Sequence, residues 1–131
     1  MPSRDLRFAV PAALIAAGIA LLTACGDPHA RGANVALSGA SAERGKAVIQ
    51  HYGCNACHAI AGFPDPSVVV AAPISGIAHR ASIAGTLPTT PENLVLWIRF
   101  PRTVKPNTAM PDLGVSESEA RDVAAYLYSL R

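Results

Sequence analysis

The run Cys54-Asn55-Ala56-Cys57-His58 limits this chain more than any other stretch, because few chemistries use two thiols three positions apart with an imidazole alongside. A thioredoxin-type dithiol needs its pair at the start of a helix that follows a strand, within an α/β alternation, and no such alternation is present. A zinc site needs further ligands, and the nearby His51 and His79 lack the paired spacing that would complete one. A structural disulfide across two intervening residues closes too small a loop to stabilise much. What fits is c-type haem attachment, in which the two sulfurs add to two porphyrin vinyl groups and the adjacent His58 is placed over the iron.

Composition agrees with a cofactor-completed core. The chain has 131 residues and is 50% hydrophobic, yet only 5% aromatic, so its apolar content is plentiful but light. A domain of this size with so little bulk is marginal unless a disulfide set, a metal, a cofactor or a partner supplements it. The length excludes a large multidomain enzyme, and a net charge of +2 gives no footprint for nucleic acid.

Part of the apolar count belongs to a leader. Arg4 and Arg7 against Asp5 precede a run from Phe8 to Leu22 without a charge, the layout of an export signal and too short for a spanning helix. The run stops at Leu22-Thr23-Ala24-Cys25, which resembles the lipobox of bacterial lipoproteins; ordinary cleavage with Cys25 incidental is the competing reading. The resemblance implies that the leader, 1–24, is removed and Cys25 acylated, which takes a third thiol out of competition for disulfides in an oxidising compartment. Residues 25–40 lack an apolar period and read as a flexible tether, leaving 41–131 as the folded domain.

Three helices can be placed in that domain. The first spans Ala42 to Tyr52, with Ser41 as cap and Gly53 ending it just before the thiols. The second starts on the Thr90 cap with Pro91 at its first position, shows Leu94, Trp97 and Ile98 on one side, and stops before Pro101. The third opens with the capping box Ser116-Glu117-Ser118-Glu119 and runs towards Leu130 with Ala120, Val123, Ala124 and Leu127 at helical spacing. The stretch from Ala59 to Leu87 reads as irregular, with Val68-Val69-Val70 in a loop packed against haem or core. Met110 is the one methionine outside the leader and lies in a loop stiffened by Pro101, Pro106 and Pro111, a good holder for a single sulfur ligand. With His58 on one side and Met110 on the other, the iron has no open position for oxygen or substrate.

These motifs, in order, resemble the class I cytochrome c family, in particular the small cytochrome domains that serve bacterial respiratory oxidases. The likeness runs from about Ala42 to Leu130. It rests on Gly45 to Ile49 leading into the Cys54–His58 motif, Gly76-Ile77 with Arg80, Thr89 to Leu94 with Trp97-Ile98-Arg99, Lys105-Pro106 through Met110-Pro111-Asp112-Leu113, and Ala124 to Leu127. It implies an all-α fold, three main helices and irregular loops wrapped around one covalent haem c, with His58 and Met110 on the iron. It also implies propionate contacts from Arg80 and Trp97, and a first-to-last helix crossing eased by Gly45. Relatives carry a Pro-x-Leu-x-Gly stretch whose proline carbonyl holds the proximal imidazole. Here the chain reads Ala72-Pro73-Ile74-Ser75-Gly76, so the acceptor is the carbonyl of either Pro73 or Ala72.

The function expected on this basis is a membrane-tethered electron carrier and not an enzyme, exported to the periplasmic face of a bacterial membrane. It would take electrons from a quinol-oxidising complex or dehydrogenase and pass them to a terminal oxidase. A haem subunit of a periplasmic dehydrogenase complex and a haem-based ligand sensor are the alternatives. Ala56, Ala59, Ile60, Phe63, Ala109 and Pro111 would form the apolar docking rim, and Arg99, Arg102 and Lys105 a local basic spot.

Overall fold

A computed structural model describes residue 33, residues 36–68 and residues 70–130. The leader and Cys25 lie outside the described residues. Helix α1 spans Ala42–Tyr52; the Ser41 hydroxyl accepts from the Arg44 amide at 3.2 Å, and Gly53 closes the helix in the left-handed region at φ 69°. Helix α2 spans Pro91–Arg99, capped by Thr90, which accepts from the Asn93 amide. The expected stop before Pro101 occurs, but a further turn, α3, then starts on that proline and covers Pro101–Val104. A proline has no amide hydrogen to miss in a first turn, so the residue that ends one helix also begins the next. Helix α4 spans Glu117–Ser129 behind the capping box of Ser116 and Glu119. Among the described residues the fold is thus mostly helical, and no helix is long and apolar enough to cross a membrane.

The crossing of α1 with α4 is the most extensive contact between elements, with α2 against α4 next. Gly45 makes the crossing close, since a Cβ built there would fall on the Asp122 carbonyl of α4. Around it lies an aliphatic core in which Ile49, Ala120 and Ala124 have no exposed surface and Tyr126 is the one buried aromatic among the described residues. The light core expected from composition is what the fold contains.

The region expected to be wholly irregular holds one small ladder, β1 Ser82–Ile83 against β2 Leu87–Pro88, antiparallel, with Ile83 paired to Leu87. Its turn places Ala84 at φ 53° and Gly85 at φ 69°, backbone that the local apolar pattern does not reveal. Val68 and Val70 are in loop, as expected, but at 68% and 62% exposure they do not pack on the protein core.

The tether assigned to residues 25–40 is shorter than its composition suggests. Ala33 and Leu37 are buried, and the Leu37 amide donates to the Ala33 carbonyl at 2.9 Å. From α4, Arg121 Nη2 donates to the carbonyls of Ala36 at 2.6 Å and Ser38 at 3.4 Å. Arg44 Nη2 donates to Gly39 at 3.1 Å while pairing with the Asp122 carboxylate through Nε at 2.7 Å and Nη2 at 2.8 Å. The same carboxylate, 6% exposed, accepts from the Ser41 amide at 2.6 Å. The Arg44 guanidinium outweighs burial and, with the Ser41 amide, holds the Asp122 carboxyl below its ordinary pKa. Leu37 supplies apolar burial and two arginines satisfy the strap's carbonyls, so this segment of small residues is folded onto the domain.

Candidate functional site

The site grows from the end of α1. The Gly53 amide donates back to Gln50 and Ile49, and the chain turns directly into a 3-10 turn, Cys54–Ala56. The amides of Cys57 and His58 both donate to the Cys54 carbonyl, at 3.3 and 3.0 Å, which winds the two thiols and the imidazole onto one compact turn. Both cysteines are free. Cys54 is half-buried against the core, and burial pushes its thiol pKa up; Cys57 is exposed.

Two contacts hold the following loop beside this turn. The Ile74 amide donates to the Ala59 carbonyl at 3.1 Å, and the Ala61 amide donates to the Ser75 hydroxyl at 2.7 Å. They bring the Ala72 carbonyl to 2.7 Å from His58 Nδ1. A carbonyl only accepts, so Nδ1 is the donor in this bond. Pro73, the other candidate acceptor, does not orient His58; its carbonyl receives Arg80 Nη2 at 2.5 Å instead. The signal was in the spacing, because Ala72-x-Ile74-x-Gly76 keeps the interval of Pro-x-Leu-x-Gly with alanine in the proline's place.

Helix α4 fixes the other flank of the turn. Tyr126 donates its hydroxyl proton to the Ala61 carbonyl at 2.7 Å and meets the Phe63 ring edge-on, with centroids 5.9 Å apart. Gly62, at φ 87°, leaves room for that hydroxyl. Ile60 is 2% exposed and belongs to the core, not to a docking rim; Ala59 and Phe63 are half-buried, and Ala56, Ala109 and Pro111 are exposed. An open hollow beside Asn55 and Ala56 is lined by Pro64, Pro66 and Val68.

Met110 is half-buried in the loop after α3, its amide donating to the Thr108 hydroxyl at 3.2 Å. The loop is tied at both ends: the Arg102 amide donates to Asp112 Oδ1 at 3.3 Å, and Lys105 Nζ donates to the Ala84 carbonyl at 3.1 Å. Trp97 is half-buried against the core from α2, and Arg80 is exposed apart from its bond to Pro73. Of the basic spot, Arg99 is half-buried and paired with Glu117 at 3.1 Å, whereas Arg102 and Lys105 are both exposed, Lys105 donating to the Ala84 carbonyl.

The donor set fits a haem. The described residues contain no group of three or more His, Cys, Asp or Glu able to hold a metal unaided, whereas one oriented imidazole and two free thiols on one turn suit an iron whose equatorial ligands a porphyrin provides.

Comparison with known proteins agrees with this geometry. The cytochrome c family model matches residues 42–131. Cytochrome c oxidase subunit 2 of Alkalihalophilus pseudofirmus (strain ATCC BAA-2126 / JCM 17055 / OF4) is 33% identical over 91 residues, which covers 69% of this chain and 26% of that protein. The chain therefore spans about a quarter of the length of this relative.

Proposed function

The chain belongs to the cytochrome c family and carries one covalent haem c, and from that premise we propose that it is a membrane-tethered carrier of single electrons in a respiratory chain, passing them towards a terminal oxidase. When bound, the haem supplies a one-electron Fe(II)/Fe(III) couple. Cys54 and Cys57 would hold it through thioether bonds, and His58 Nε2 and the Met110 sulfur would bind its iron. Ala72 fixes the imidazole tautomer through Nδ1, which leaves Nε2 free to ligate and makes it a stronger donor. Arg80 and Trp97 are the proposed propionate contacts, with Arg80 held in place by the Pro73 carbonyl.

The observation that carries this reading is the Ala72 bond to His58 on the same turn as two free thiols. Iron held by a histidine and a methionine would have a raised reduction potential and no protein-free site for oxygen, which suits transfer of electrons. Support for an oxidase as acceptor comes from the relative, an oxidase subunit by name. Support for a tether comes from the lipobox-like Leu22-Thr23-Ala24-Cys25. Without the leader the net charge falls to about +1 as Arg4, Arg7 and Asp5 are lost, so long-range steering is weak and a tether's effective concentration takes its place. Exposed Ala56, Ala109 and Pro111 are the proposed contact surface for redox partners.

A reduced-minus-oxidised spectrum and redox titration of membranes from cells producing the chain test the proposal. A c-type α-band with a clearly positive potential is expected. Absence of the band, or a clearly negative potential, overturns it.

A further inference from the structure

The strap before α1 is held by groups that the haem site does not use, and it determines where the chain leaves the domain. Arg121 makes its two described hydrogen bonds to the Ala36 and Ser38 carbonyls. Leu37 is buried, and the amides of Leu37 and Ala40 are both bonded within the strap, to Ala33 and Leu37. Its neighbour Asp122 fixes the Ser41 amide and, through Arg44, the Gly39 carbonyl. The strap is thus clamped at the first turn of α1, whereas Cys54 and Cys57 follow the last turn. Eleven helical residues put those two ends about 16 Å apart.

We infer that Arg121 is a positioning residue for electron transfer at the membrane: by clamping the strap it shortens the tether and holds the haem-attachment end of the domain away from the anchor's exit. This inference rests on the reading of Cys25 as the lipid-bearing residue. Between Cys25 and Ala33 there are eight residue steps, which span at most about 28 Å whatever their conformation. Without the Arg121 bonds the next hold is Arg44 on the Gly39 carbonyl, and the limit becomes fourteen steps, or about 49 Å. The Arg121 clamp therefore cuts the furthest reach by roughly two fifths and gives the chain a fixed point of departure, so the domain meets membrane-bound partners over a narrower range of heights and orientations.

The test uses the full, haem-loaded chain in phospholipid vesicles whose outer headgroups carry a fluorophore quenched by energy transfer to the haem. Arg121→Ala is compared with wild type and with Arg121→Lys. In Arg121→Ala the amides of Leu37 and Ala40 should exchange with deuterium about tenfold faster, since a charged donor to two carbonyls is lost. Energy transfer should fall as the domain moves further out, Arg121→Lys should recover part of both, and the haem absorbance spectrum should not change. Faster exchange with unaltered transfer, or unaltered exchange, overturns the positioning role. If the wild type does not associate with vesicles and mass spectrometry finds Cys25 unacylated, the anchor reading falls and the inference falls with it; exchange in the strap still reports separately whether the clamp exists.

Discussion

Replacing Gly45 with alanine is expected to destabilise the domain even though alanine is the better helix former. In an isolated helix the change stabilises by about 1 kcal/mol. Here the added Cβ would lie 2.5 Å from the Asp122 carbonyl carbon and 3.0 Å from the Val123 nitrogen, besides falling on the Asp122 oxygen. Those are backbone atoms, so no side chain can rotate away. Reaching an ordinary contact of roughly 3.5 Å requires α1 and α4 to part by about 1 Å. Overpacking of a close-packed interior costs about 1–3 kcal/mol, and a rigid neighbour places this case at the upper end. The net effect is a loss of about 2 kcal/mol, or roughly 10 °C in Tm for a domain of this size. Thermal unfolding of the haem-loaded protein, followed by far-ultraviolet circular dichroism, reads it directly. Gly53→Ala is the control, because a Cβ there meets nothing within 4 Å and the penalty of about 1 kcal/mol comes from φ 69° alone. A midpoint for Gly45→Ala equal to or above wild type would refute the crossing argument.

Three further outcomes follow from the site and the strap. Met110→Leu should lower the reduction potential and let carbon monoxide bind the reduced protein at neutral pH; an unchanged potential would remove Met110 from the iron. Asp122 has its pKa lowered in the fold, so its ion pair with Arg44 stabilises above the ordinary carboxylate range and is lost as pH falls through the folded value. Asp122→Asn should therefore be less stable than wild type at pH 7, with the difference shrinking in acid denaturation below about pH 4, and parallel unfolding curves at both pH values would contradict this. Cys25→Ser should move the protein from the membrane to the soluble fraction on cell fractionation, and continued membrane retention would argue against acylation.

Local chemistry made much of this fold legible. Ser41 and Gly53 bracket α1 at the residues observed, and Ser116 with Glu119 marks the start of α4, because caps are satisfied within a few positions of themselves. The Cys54–His58 turn was equally plain, since its ligand chemistry is contained in five consecutive residues. What escaped depends on partners distant in sequence. Nothing in the small residues 36–40 announces that Arg121, about 85 positions later, will take their carbonyls, or that Leu37 will find the core. Residue type left Pro73 and Ala72 both open as the acceptor, because the bond to His58 depends on register, and it belongs to Ala72. Ile60 looked like rim because it follows the motif, but Tyr126 draws that loop inward by its bond to Ala61.

The Asp122 junction also governs how force travels through the molecule. Ser41, Arg44 and the strap meet the last helix at this carboxylate, which gives the strap and both helices a shared polar junction beside the close crossing at Gly45. On the proposed anchor at Cys25, tension would enter at the strap and load the crossing of α1 and α4 in shear. The loop of Met110 is fastened elsewhere, through the Arg102–Asp112 and Lys105–Ala84 bonds. Pull on such an anchor would then strain the helix crossing, while the loop proposed to supply the sulfur ligand bears none of it directly.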